Sequence, residues 1–257
     1  VIDEFFSTVK EKQIKLEKIT DEDTETIVDK IIDDKLGQGK NYIFTSTAKY
    51  RVLINRLKRV ISLSIKYIIQ TIKQSDFEVF GHEVEFGGKG QYQPITIKTD
   101  SGKTVEIVGK IDRVDILKQP DGTYVRVIDY KSSIHNIDLN KVVAGLQLQL
   151  ITYLNETCKI EDFAPAGVLY FSLLDKKYSS DKMLTEDEIK EKIRQDFKMK
   201  GLILADVNII KKMDTNIENE PKGISRIIPA GITKDGELNK QSSSSAVTKE
   251  QFEYLQK

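Results

Sequence analysis

One cysteine, two histidines and no tryptophan occur in 257 residues. The single thiol, Cys158, excludes an internal disulfide and any all-cysteine metal site within the chain. With only His82 and His135 beside it, a structural zinc site has too few ligands. Cys158 falls just past an expected helix and reads as a quiet structural thiol. An excess of charge of one sign is also missing: 40 basic residues face 40 acidic ones. A protein that binds nucleic acid unaided usually carries a basic excess. Neutrality therefore weighs against an autonomous binder and fits a module fed by a larger assembly. Long apolar runs are absent too. The richest, Ile61 to Ile69, is broken by Ser62, Ser64 and Lys66, whereas a bilayer span needs roughly 20 mostly apolar residues. The start, Val1-Ile2-Asp3-Glu4-Phe5-Phe6, reads as amphipathic helix rather than a signal peptide. No membrane partner is expected, and the cytoplasm is the simplest compartment.

What is present is the composition of a folded soluble chain, 39% hydrophobic and 31% charged. That length allows one large domain or two small ones. A single domain over 1–257 is expected, with a helical lead over 1–75, a core over 76–174 and an extension over 175–257. Ile2, Phe5, Phe6 and Val9 line one face of a first helix. Thr20 followed by Asp21, Glu22 and Asp23 signals an N-cap for a second helix that stops near Gly37. The nearby Leu36-Gly37-Gln38-Gly39-Lys40 lacks the spacing of a phosphate-binding loop. A long helix is predicted from about Ser46 to Gln74, with Leu53, Leu57, Val60, Ile61, Ile68 and Ile72 inward.

Strands follow: Phe77 to Phe86, closed by Gly87-Gly88-Lys89-Gly90; then Ile95 to Lys98 and Thr104 to Leu117 around Asp100-Ser101-Gly102. Tyr124 to Lys131 is the next. A helix is predicted over Leu139 to Asn155 and a buried strand over the apolar run Ala166 to Leu174. Thr185-x-x-Glu188 is a capping box for a helix to about Lys200. Asn208 to Ser245 reads as a long polar loop with short strands near Ile224 to Ile228, and Thr248-x-x-Gln251 opens a last helix that breaks off at Lys257.

Two acidic strand patterns carry the chemistry. Gly109-Lys110-Ile111-Asp112-Arg113-Val114-Asp115 is followed, across the turn Gln119-Pro120-Asp121-Gly122-Thr123, by Val127-Ile128-Asp129-Tyr130-Lys131-Ser132. Side chains alternate along a strand, so Asp129 and Lys131 share a face. Neighbouring antiparallel strands would bring Asp112 to the same point. Two carboxylates and an ammonium there suit a divalent metal and a water above a phosphodiester. Asp115, three residues beyond Asp112, faces the other side with Arg113 and reads as a surface or salt-bridge residue.

The order helix, antiparallel strands, helix, strand, with Gly-x-x-Asp, Asp-x-Lys and a Gln-x-x-x-Tyr helix, resembles the PD-(D/E)xK nuclease superfamily and its RecB-like branch. Gly109 to Asp115, Ile128 to Ser132, Gly145 to Leu154 and the Ser-rich Gln241 to Val247 are similar to the C-terminal nuclease domain of the AddB/RexB family. The resemblance covers essentially the whole chain. It implies a fold of the α/β (α+β) class, a restriction-endonuclease-like core with a mixed central sheet flanked by helices. It implies an exonuclease module of a helicase–nuclease, acting during double-strand-break processing. Asp112, Asp129 and the Tyr130 backbone carbonyl would bind Mg²⁺ or Mn²⁺, and Lys131 would position and help deprotonate the attacking water. Gln149 and Tyr153, spaced i, i+4 on one helix face, would border the site. On the bland reading Tyr153 caps the core and Gln149 bonds the backbone. Glu83 is an additional metal-ligand candidate; His135 is a loop residue within reach of DNA.

The implied partners are a single DNA strand from an unwound duplex and an AddA/RexA-like helicase–nuclease subunit. The family also carries a first-helix histidine and four cysteines for an iron–sulfur cluster. This chain has only Cys158, at none of those positions. It is expected to start after that histidine and the first cysteine, and to stop before the rest. The cluster is thus expected only in a full-length protein, and a fragment without it and the histidine is open to being inactive. Two other readings stand beside this one: a non-catalytic DNA-binding or scaffolding domain with a nuclease fold, and another RecB-like exonuclease of phage or CRISPR-associated type.

Overall fold

The structure, a computed structural model, describes residues 1–87, 90, 92–99, 101–176, 181 and 183–255. Gly88, Lys89 and Asp100 of the expected turns, and Lys257 of the last helix, lie outside the described residues. In chain order the elements are α1 (Ile2–Glu11), α2 (Asp21–Leu36), α3 (Ala48–Lys73), β1 (Glu78–Phe86), β2 (Ile95–Lys98), β3 (Thr104–Ile107), β4 (Gly109–Gln119) and β5 (Gly122–Lys131). They continue as α4 (Leu139–Val143), α5 (Gln149–Glu161), β6 (Ala164–Ser172), α6 (Glu186–Phe197), β7 (Lys200–Leu204), α7 (Val207–Met213), β8 (Ala246–Val247) and α8 (Lys249–Leu255). Two compact units result: Val1–Lys73 with Leu173–Phe197, and Gln74–Ser172 with Lys198–Lys257.

The first unit is helical, and its boundaries follow from capping. Thr20 Oγ1 accepts from the Asp23 amide at 3.1 Å while the Asp23 carboxylate accepts from the Thr20 amide at 3.0 Å, a reciprocal box that satisfies two orphan donors of α2. Thr185 and Glu188 do the same for α6. Phe5, Val9, Val28, Ile32, Ile61, Ile65 and Ile68 are buried. Leu53 and Leu57, expected inward, are exposed at 47% and 44%, and burial along α3 begins at Ile61. Apolar spacing marks a face but does not place anything against it. No described helix is long and apolar enough to cross a membrane.

The second unit holds a six-stranded sheet in the order β1-β4-β5-β6-β7-β8. β1, β4 and β5 are mutually antiparallel; β6 runs parallel to β5, and the α4–α5 segment makes that crossover. α5 packs on β5 and β6, and β6 is buried from Pro165 to Ser172, as the unbroken apolar run required. This is the mixed α/β architecture the sequence predicted.

Several elements differ from expectation. The stretch Thr104 to Leu117 is two strands broken at Val108: β3 pairs only with β2 as a separate ribbon, and β4 joins the main sheet. A bulge between Val79 and Gly81 accounts for the shift in apolar parity along β1. Leu139 to Asn155 is not one helix, because the chain turns at Gly145 (φ +75°) and restarts at Gln149. Cys158 consequently lies inside α5 rather than past a helix. The segment Asn208 to Ser245 contains α7 and three short 3₁₀ turns, with Ile209, Ile210, Ile217, Ile227, Ile228 and Ile232 buried. Isoleucines scattered among polar residues give no period, so the segment looks like a loop until its tertiary neighbours are known.

Candidate active site

The β4–β5 hairpin positions the acidic residues. Its register pairs Arg113 with Ile128 and Val114 with Val127, which brings Asp112 and Asp129, the next residue on each strand, to the same end of the hairpin. Opposed residues of an antiparallel pair project to the same face. Asp112, Asp129 and Lys131 therefore stand together on one face of the hairpin. The Tyr130 amide donates to Asp112 Oδ2 at 2.6 Å. Lys131 Nζ lies 2.7 Å from Asp129 Oδ2 as an ion pair. Apart from that ammonium, this buried oxygen has no hydrogen-bond donor among the described residues. Gln149, the first residue of α5, reaches Asp129 Oδ1 through Nε2 at 3.5 Å.

Electrostatics follow from this packing. Burial raises the Asp112 carboxyl above its ordinary range, the Asp129 charge adds to that, and the Tyr130 amide only partly offsets them. Burial works to lower the Lys131 ammonium, but the bond and charge of Asp129 outweigh it and hold the group protonated. Two buried carboxylates side by side, one with an oxygen held only by the Lys131 ammonium, are a donor set that suits a hard oxygen-seeking cation.

The remaining predicted residues divide. Tyr153 is buried, stacked on Phe86 with ring centroids 6.0 Å apart. A Cβ on Gly109 would come within 2.4 Å of Tyr153 Oη, so the glycine of Gly-x-x-Asp is there to admit the tyrosine ring. Glu83 has φ +49° and pairs with Lys110 Nζ at 2.9 Å. No group of three acidic, histidine or cysteine side chains placed to hold a metal occurs among the described residues. Gln147 pins the loop before α5, accepting from the Asp138 amide at 2.8 Å and donating to the Asn136 carbonyl at 3.2 Å. His135 meets Ser133 Oγ at 2.9 Å.

Asp115 is not at the surface. It is fully buried on the opposite face, held by Arg113 Nε at 2.8 Å, Arg113 Nη2 at 2.7 Å and Arg126 Nε at 2.9 Å. Strand parity had excluded it from the site, but nothing local announced Arg126, which the register sets directly opposite. Tyr170 was missed as well. It sits within the apolar run of β6, and only the β5–β6 register shows that it pairs with Asp129.

The chain is 44% identical over 261 residues to an ATP-dependent helicase/deoxyribonuclease subunit of Clostridium novyi (strain NT), covering 99% of this chain and 22% of that protein. It is 40% identical over 263 residues to the protein of the same name from Acetivibrio thermocellus, covering 100% of this chain and 22% of that protein. The corresponding figures for Caldanaerobacter subterraneus subsp. tengcongensis are 37% over 262 residues, 100% and 22%. The chain thus spans about a fifth of the length of these curated relatives. The family model of the PD-(D/E)XK nuclease superfamily matches residues 1–223. With that match over most of its length, the chain belongs to the PD-(D/E)XK nuclease superfamily.

Proposed function

We propose that this chain is a divalent-metal-dependent DNA exonuclease module of an AddAB/RexAB-type helicase–nuclease, working in the cytoplasm during end processing and recombinational repair. The observation that carries the reading is the meeting of Asp112, Asp129 and Lys131 at one end of the β4–β5 hairpin. Asp112, Asp129 and the Tyr130 carbonyl would hold the cation, Mg²⁺ or Mn²⁺. Bound there, it would supply charge that neutralises the phosphate and lower the pKa of a bound water. Lys131, as an ammonium, donates and cannot accept. In this state it orients the attacking water and offsets charge on the phosphate; a proton-accepting role belongs to its neutral form. Gln149 steadies Asp129, and Tyr153 keeps α5 seated against Gly109. The water oxygen bonds to phosphorus, the ester bond to one deoxyribose oxygen breaks, and that oxygen leaves with a proton.

The relatives' shared name, that of a helicase/deoxyribonuclease subunit, supports a DNA substrate and a partner subunit. Purified protein with Mg²⁺ or Mn²⁺ is expected to degrade single-stranded DNA. Asp129→Ala and Lys131→Ala are each expected to cut the rate by roughly 10²-fold or more. Calorimetry should show a Mg²⁺ site that Asp112→Ala and Asp129→Ala remove. Cleavage that survives Asp129→Ala would sink the assignment.

A further inference from the structure

We propose that Tyr170 is a positioning residue of this site, its ring carrying the Lys131 ammonium and holding it beside Asp129. The catalytic consequence rests on the nuclease reading; the placement of Lys131 does not. The parallel β5–β6 register sets Tyr170 beside Asp129 and Ser172 beside Lys131, so all four residues belong to one face. Lys131 Nζ stands 5.9 Å from the Tyr170 ring centroid, within the reach of roughly 6 Å over which an aromatic face attracts a cation. Asp129 holds the same nitrogen at 2.7 Å. A lysine has a flexible four-carbon stem, and a single carboxylate fixes its distance but leaves its direction open. An aromatic face as second contact supplies the direction.

The ring is itself fixed. Tyr170 is 7% exposed and meets the His135 ring with centroids 5.6 Å apart. Ser172 Oγ donates to the Ser133 carbonyl at 3.2 Å, and Ser133 Oγ meets His135 Nε2 at 2.9 Å. These links tie the chain after Lys131 back onto β6, so Lys131 leaves the sheet from a held backbone. The ring of Tyr170 meets both the His135 ring and the Lys131 ammonium. The positioning is assigned to the ring, and Tyr170→Phe, which keeps the ring and removes the hydroxyl, separates the two.

The test reads Lys131 directly. Reductive methylation with ¹³C-formaldehyde labels the lysines, and loss of one resonance in Lys131→Arg identifies Lys131. Its Nε-methyl resonance is expected upfield of the solvent lysines in the wild type, through the ring current of Tyr170. Tyr170→Phe should keep that displacement, and Tyr170→Leu should abolish it. In cleavage of a single-stranded oligonucleotide with Mg²⁺, Tyr170→Phe should stay within about twofold of wild type, while Tyr170→Leu lowers kcat roughly tenfold with KM changed less than about twofold. No displacement in the wild type, or the same displacement in Tyr170→Leu, overturns the proposal. So does Tyr170→Phe falling as far as Tyr170→Leu. Should Tyr170→Leu fail to fold, the wild-type and Tyr170→Phe resonances still decide. Cleavage surviving Asp129→Ala would instead reject the assignment of the active site, while the wild-type, Tyr170→Phe and Tyr170→Leu resonances would still decide the placement of Lys131.

Discussion

Gly109 and Tyr153 are 44 residues apart by number (153 − 109) and touch in the fold. Read separately, one is the start of a strand and the other a helix position; together they set how closely α5 approaches β4. Gly109→Ala puts a methyl group 2.4 Å from Tyr153 Oη and 3.1 Å from two ring carbons. The ring is packed against Phe86 and has little room to yield. Overpacking of this kind costs about 1–3 kcal/mol, to be read as a lowered urea midpoint with an unchanged slope. Because Oη is the nearest atom, adding Tyr153→Phe should recover part of that loss. Strict additivity of the two substitutions would show that they do not meet.

The β4–β5 hairpin is the element on which both faces of the sheet depend. One face carries Asp112, Asp129 and Lys131; the other buries Asp115 between Arg113 and Arg126, with the Arg126 guanidinium also 4.6 Å from the Phe77 ring. Burial works to raise the Asp115 carboxyl, and the two guanidiniums overcome it and hold the group below its ordinary range. Such a cluster adds little net stability while it is complete, but removing its anion strands two cations away from water. Asp115→Ala is expected to destabilise the protein by about 3–5 kcal/mol, a large part of the ~5–15 kcal/mol a domain possesses. Replacing all three by apolar residues of similar volume should recover most of it. A mild effect of Asp115→Ala in chemical denaturation would show that water reaches the cluster.

At the scale of the whole molecule, acid lability should trace in part to His82. Burial, then the charge of Arg113, lowers its pKa from 6.5 to about 4, against the pull of Asp115 and Glu83. The folded value lies below the unfolded one, so the unfolded chain takes up the proton first as pH falls. Stability is therefore present above about 6.5 and is lost progressively towards about 4. His82→Gln should flatten the dependence of the denaturation midpoint on pH over that interval; an unaltered slope would place the proton uptake elsewhere.

What the chain sequence determined alone was local: helix starts at Thr20 and Thr185, the hairpin turn before Gly122, the shared face of Asp129 and Lys131, and the exclusion of Asp115 from that face. Capping, turn chemistry and strand alternation act over a few residues, so they are legible without a fold. The tertiary structure decided everything that depends on register or on a distant neighbour. It set Asp112 against the Tyr130 amide, Arg126 opposite Asp115, Tyr170 beside Asp129 and Tyr153 over Gly109. It also left Leu53 and Leu57 exposed, and it buried isoleucines in a segment that reads as loop. Register is a property of two strands at once, and burial is a property of what lies opposite; neither is written in any single stretch of chain.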